Sequence, residues 1–175
     1  MKYKHLYRKC KPEEMTRDIL MDALEYNQDT GDFFWRVCPS RKIRVGQKAG
    51  CFDTKGYWLI GLHGEHYFAH RLAWLYVHGC WPSNKIDHMD GNGLNNAISN
   101  LRDVTDAVNS QNQRRPRRGG SSGLLGVSWA TEKRKWCAHI QAGGKQKNLG
   151  YYSDKYEAYR AYVEAKREMH EGCTL

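Results

Sequence analysis

Residues 85–109 constrain the fold of this chain more than any other stretch. Lys85-Ile86-Asp87-His88 reads as a short strand, residues 89–99 as a compact Gly/Asn-rich loop, and Asn100-Leu101-Arg102-Asp103-Val104 as a returning strand. Thr105 then caps a helix that begins at Asp106 and carries Asn109, Asn112 and Gln113. The order is strand–loop–strand–helix. Neighbouring residues on a strand point to opposite faces, so Asp87 and His88 serve different roles in whatever site this segment builds.

Composition says what such a site would serve. The 175-residue chain is 40% hydrophobic and 12% aromatic, enough for one domain or two small ones and too much for global disorder. Its formal net charge of +9 implies a polyanionic partner. That charge is uneven: residues 1–60 hold 12 Lys/Arg against 8 Asp/Glu, residues 61–113 hold 3 against 5, and residues 114–175 hold 13 against 6. A slightly acidic middle between basic ends suits a metal site flanked by phosphate-binding arms. Six cysteines are scattered without a Cys-x-x-Cys pair, which argues against a thiolate zinc site. A reduced protein with mostly buried free thiols is expected. Lys2, Lys4 and His5 precede no apolar run and no segment reaches membrane-span length, so neither signal peptide nor membrane partner is expected; with a polyanion as partner, no small-molecule substrate is expected either.

Along the chain, residues 1–11 are basic, and Pro12-Glu13-Glu14 opens a helix marked by Ile19, Leu20, Ala23 and Leu24 and ended by the turn at residues 27–32. Residues 33–37 read as a strand and residues 41–46 as a basic loop. Residues 57–62 and 65–69 form a hairpin around His63-Gly64. Residues 70–77 form a short apolar helix closed by Gly79. Arg71 is a candidate DNA contact, whereas His70, at a strand–helix junction, reads as a satisfied structural residue. Residues 114–122, with Arg114, Arg115, Arg117 and Arg118, read as a basic flexible linker whose arginines are expected to contact phosphate or lie in a minor groove. Beyond it come three strands, with Gly143-Gly144 as a hairpin turn, and a helix from the Asp154/Glu157 capping box to about Glu171. Ala158, Ala161, Tyr162, Ala165 and Met169 mark its inner face. The expected organisation is a first domain at 1–113, the linker at 114–122 and a second domain at 123–175.

Hydrolysing a phosphodiester needs an in-line nucleophile, neutralised phosphate charge and a stabilised leaving oxygen. One divalent metal can supply the last two, and a histidine near neutral pKa the first, by deprotonating water. The pattern D-H-x-D-G-x-x-x-N-N-x-x-x-N-L-x-x-V-T, with Asn four residues past the Thr, resembles the HNH endonucleases of the ββα-metal class. The resemblance rests on Asp87-His88, Asp90-Gly91-Asn92, Asn95-Asn96, Asn100-Leu101 and Asn109. The upstream Tyr57, the run from His70 to Trp74, and Trp81-Pro82 look like the lead-in of phage and homing members. It implies that His88 is the general base, that Asp87 and Asn109 hold the metal, and that Asn100 fixes the loop and orients the His88 ring. Asn in place of the family's frequent third His favours Mg²⁺ or Mn²⁺ over Zn²⁺. Asn112 reads as polar helix surface, and Asp90 as a loop stabiliser.

Residues 123–173 are similar to ERF-type (Apetala/ethylene-response-factor) DNA-binding domains. The matches are Gly126-Val127-Ser128-Trp129, the Lys135-Trp136-x-Ala138-x-Ile140 strand, Gly144-Lys145, Leu149-Gly150-Tyr151-Tyr152 and the alanine-bearing helix. In that family the sheet enters the major groove. The resemblance therefore implies DNA contacts from Trp129, Lys133, Arg134, Lys135, Trp136 and Gln141, with Lys145 and Lys147 on phosphates.

The expected fold class is α+β, a small ββα-metal nuclease domain plus a three-stranded antiparallel sheet packed on one helix. The expected function is a metal-dependent DNA endonuclease of phage or homing type. It would nick one strand of double-stranded DNA as a monomer or weak dimer, in the cytoplasm (the host's, if phage-encoded). The alternative is a DNA-binding transcriptional regulator with an inactive nuclease domain.

Overall fold

The computed structural model describes residues 14–116 and 120–175. The expected helix start at Pro12-Glu13, and Arg117 and Arg118, lie outside the described residues. The architecture is mixed α+β, and the chain divides into two compact units, Met1–Val104 and Thr105–Leu175. The described residues of the expected linker, 114–116 and 120–122, fall within the second unit.

In the first unit, α1 (Arg17–Ala23) is capped by Thr16, whose side chain accepts the Ile19 N–H at 3.4 Å. The helical spacing runs on through Leu24, but the helix stops at Ala23. Leu24–Tyr26 instead forms β1, antiparallel to β2 (Phe33–Trp35), with Leu24 opposite Trp35 and Tyr26 opposite Phe33. Tertiary packing decides this. Leu24 and Tyr26 are buried and Glu25 exposed, a period of two that a helix would break. The turn between them is closed by Asn27, whose side chain accepts the N–H groups of Asp29 and Thr30, and by Gly31 at φ +77°.

A three-stranded antiparallel sheet follows, ordered β3 (Cys51–Phe52), β4 (Trp58–Leu62), β5 (Glu65–Phe68). The last two form the expected hairpin. The chain runs directly into α2 (Ala69–His78), which ends where left-handed Gly79 returns its N–H to Leu75 O at 2.9 Å. β6 (Lys85–His88) and β7 (Leu101–Val104) then pair antiparallel, Asp87 opposite Arg102 and His88 opposite Leu101. Ile86 and Leu101 join the core built by Leu20, Phe33, Ile60 and Leu72. Each such burial stabilises by roughly 1.5–3 kcal/mol, so the hairpin bearing Asp87 and His88 is anchored rather than free-standing.

The second unit opens with α3 (Asp106–Gln111), capped by Thr105 as expected. β8 (Val127–Ala130), β9 (Lys135–Ala142) and β10 (Lys145–Tyr152) form an antiparallel sheet with β9 central. α4 (Lys155–Met169), capped by Asp154, packs across it through Ala158, Tyr162 and Ala165. A Cβ on Gly126 would lie 2.0 Å from the Tyr162 ring, so only glycine permits this approach of helix to sheet. The helix stops two residues short of Glu171, and Met169 is exposed rather than inward. Its inner face is completed by Lys166, 1% exposed, whose Nζ donates to Gln113 O at 2.5 Å. Asn112 is a further correction: it is buried, and its side-chain oxygen accepts from the Thr174 hydroxyl. So are the thiols: Cys38, Cys51 and Cys80 are exposed, and Cys137 and Cys173 half-buried, rather than mostly buried.

Candidate active site

His88 ends β6 and is only 6% exposed. The rings of Tyr57 and His70 stand 6.1 and 5.1 Å from its own, and Phe68 stacks behind His70 at 5.3 Å. Burial in this ring-lined setting pushes the His88 pKa below its ordinary value, against the opposing pull of Asn96, Asp90 and Asp87. The imidazole is therefore neutral at neutral pH, the state a general base requires.

One hydrogen bond decides which nitrogen can act. His88 Nε2 lies 3.1 Å from Asn96 Oδ1, and Asn96 Nδ2 donates to Leu94 O at 3.2 Å, which fixes the amide with its oxygen toward the ring. Nε2 therefore carries the proton, and Nδ1 carries the lone pair. Asn96 is itself held from far away in sequence. The Tyr26 hydroxyl donates to Asn96 O at 2.6 Å, and a Cβ on Gly31 would sit 2.2 Å from the Asn96 carbonyl carbon. The β1–β2 turn thus lies directly against the loop.

Asn100 does half of what the resemblance implies. Its side chain accepts the Asp90 N–H at 3.0 Å and donates to Asp90 Oδ1 at 3.0 Å and Asn95 O at 2.8 Å, so it ties the loop ends together. The side chain at hydrogen-bond distance from His88 Nε2 is that of Asn96. Asp90 accepts from Asn92 N–H, Asn95 and Asn100. Burial works against its charge, but these bonds and the nearby His88 prevail and hold its carboxyl below the usual range. Asp87 lies on the opposite face of β6 from His88, buried, with Arg102 Nε and Nη2 both donating to its Oδ2 at 2.9 and 2.7 Å. Among the described residues no three His, Cys, Asp or Glu side chains cluster as a metal cage. Asn109 lies on α3 in the second unit.

Comparison with known proteins bears directly on this arrangement. The HNH endonuclease family matches residues 67–111, from within β5 to the end of α3, a span that takes in Asp87, His88, Asn100 and Asn109. Protein 3.8 of Escherichia phage T7 is 37% identical over 102 residues, which are 58% of this chain and 83% of that protein. The chain belongs to the same family as Protein 3.8 and carries an HNH endonuclease domain. It is a nuclease. A solved structure described as DNA binding and cleavage by the HNH homing endonuclease I-HmuI aligns with 86% of this chain and 88% of its own, at 24% identity and a TM-score of 0.42. HNH nucleases generally depend on a divalent metal.

The remaining candidate residues of this HNH protein fall in different settings. Arg71 lies over the Trp81 ring at 5.6 Å. Arg114 donates to the carbonyl and hydroxyl of Thr174, while Arg115 is exposed. On the second unit's sheet, the register puts Trp129 and Trp136 opposite each other, on the same side as Val127 and Ala138. That is the side α4 covers. Trp136 packs into this cluster, and Trp129 meets it edge-on at 5.0 Å while remaining 43% exposed. Lys135 and Gln141 point to the open side by strand alternation. Lys133 reaches over the Tyr151 ring at 4.6 Å, and Lys145 and Lys147 are exposed on β10. Among the described residues no helix is long and apolar enough to cross a membrane.

Proposed function

We propose that this protein is a metal-dependent DNA endonuclease of phage or homing type that nicks one strand, with the second unit biasing where it binds. The observation that carries this reading is the buried His88, its Nε2 3.1 Å from Asn96 Oδ1, next in the chain to the Arg102-paired Asp87. His88 Nδ1 takes a proton from a water as that water attacks phosphorus in line. The P–O3′ bond breaks, leaving a 5′-phosphate and a 3′-hydroxyl. Asn96 keeps the reactive nitrogen unprotonated, and Asn100 keeps the loop in register.

The donor chemistry fits a hard divalent cation. Asp87 offers a buried carboxylate and Asn109 an amide oxygen, donors of the kind that Mg²⁺ or Mn²⁺ take while completing their shells with water and phosphate. Such an ion, when bound, neutralises phosphate charge and stabilises the leaving oxygen. Residues 123–175 serve as an ERF-like DNA-binding domain, residues 1–113 as the nuclease, and 114–122 as the basic connection between them. The three-stranded sheet on one helix supports this reading. The open side of that sheet, with Lys133, Arg134, Lys135 and Gln141, would face the groove, and Lys145, Lys147, Arg115, Arg117 and Arg118 would meet phosphates. Tethering raises the effective concentration of the catalytic site on DNA. The protein works as a monomer or weak dimer in the host cytoplasm.

The test is conversion of supercoiled plasmid to open circle with Mg²⁺, comparing wild type with His88→Ala and with wild type in excess chelator. His88→Ala should lose about 10²–10⁴-fold, and chelation should abolish nicking until Mg²⁺ is restored. Equal rates for wild type and His88→Ala would sink the general-base assignment. A wild type inactive on every DNA would favour the DNA-binding regulator instead.

A further inference from the structure

His70, the second residue of α2, sits where β5 turns into the helix and is 8% exposed. Phe68 stacks on it at 5.3 Å and 14°, Tyr57 leans on it at 5.5 Å, and His88 meets it nearly perpendicular at 5.1 Å and 82°. Burial, with help from His88 and Arg71, lowers its pKa to about 3, so the ring is uncharged in any working condition. Its Nδ1 is buried without a hydrogen-bond partner among the described residues. A phenylalanine would fill the same ring-lined box without that cost, because an apolar ring loses nothing when taken from water. A histidine held this way has its hydrogen-bonding capacity in reserve for something the free protein does not contain.

We propose that His70 is a second catalytic histidine, donating a ring N–H to a non-bridging oxygen of the phosphodiester that the His88-activated water attacks. This rests on the reading of His88 as general base. The two imidazoles divide the work: His88 accepts the water's proton, and His70 holds the phosphate oxygen with no proton transferred and no bond made or broken at its ring. An uncharged donor suits the place. A lysine or arginine there would also bind the phosphate, but its charge would weaken the neighbouring base.

His70→Phe separates this role from packing. The comparison is single-turnover nicking of supercoiled plasmid with Mg²⁺ at saturating protein, for wild type, His88→Ala, His70→Phe and His70→Gln. Thermal unfolding and gel-shift affinity for a duplex are measured alongside. His70→Phe should melt at or above the wild-type temperature, bind duplex within about twofold, and nick roughly 10- to 100-fold more slowly. His70→Gln, which keeps an N–H donor, should nick faster than His70→Phe. Wild-type nicking by His70→Phe would overturn the proposal, leaving the ring as packing only. A clear fall in its melting temperature would also overturn it, because the nitrogen would then have a partner in the free protein. Inactive wild type would instead remove the general-base reading, so the two failures are told apart.

Discussion

Asn96→Asp tests the geometry around His88 more sharply than deletion of the base itself. The substitution keeps the shape of the side chain and its oxygen 3.1 Å from His88 Nε2, but makes that oxygen part of an anion. Two unit charges about 3 Å apart attract by on the order of 5 kcal/mol at an effective dielectric of about 20. Observed shifts for such pairs are smaller, about 1–3 pKa units, because solvent and rearrangement absorb part of the field. In the wild type, burial holds His88 below its ordinary value, so the unprotonated base persists into mildly acidic solution. In the variant the imidazolium is favoured, and the base is lost as pH falls through a higher value. The acid limb of the pH–rate profile for nicking should therefore move up by about 1–3 units, with activity falling about tenfold for each unit below it. The alkaline plateau should be largely kept, since Nε2–H still finds an acceptor. Losing the Asn96 donor to Leu94 O should cost about 1–3 kcal/mol of stability, read from denaturant midpoints. A limb that stays in place while the plateau drops would refute the assigned bond, because the charge would then not be felt at His88.

Two further substitutions probe the supports. Gly31→Ala places a Cβ 2.2 Å from the Asn96 carbonyl carbon and forces an L-residue to φ +77°. It should lower stability by about 1–3 kcal/mol, and lower kcat while leaving DNA affinity within about twofold, a split that plasmid nicking and gel shift resolve; unchanged kcat would mean that the turn does not brace the catalytic loop. Arg134 occupies a left-handed conformation at φ 49°, so Arg134→Gly should melt no lower than wild type, yet bind duplex more weakly with a salt slope shallower by about one; an unchanged slope would exclude a phosphate contact.

Locally signalled elements were legible in the sequence. The Thr105 and Asp154 caps, the Gly143-Gly144 turn and the β6–loop–β7 order depend on residues a few positions apart, and all appear in the structure. The same holds for Asp87 and His88 on opposite faces, because the strand period guarantees it. What escaped depends on contacts far apart in the chain. Leu24–Tyr26 continues a helical pattern and becomes a strand only because Phe33–Trp35 is there to pair with it. The Trp129–Trp136 pair could have faced either side of its sheet until α4 covered one of them.

Asn96 is the most instructive case. In sequence it is one of several asparagines in a loop, and nothing local separates it from Asn95, which binds Asp90, or Asn92, which closes a turn. What singles it out is a hydroxyl 70 residues earlier in the chain and a glycine small enough to let that turn come close. The residues that set the tautomer of the proposed base are thus shared between the family's own segment and an N-terminal turn outside the 67–111 match. Grafting residues 67–111 alone onto another scaffold would carry over His88 and Asp87 but leave Asn96 without Tyr26. On the proposed mechanism the catalytic unit therefore begins at β1, not at the motif.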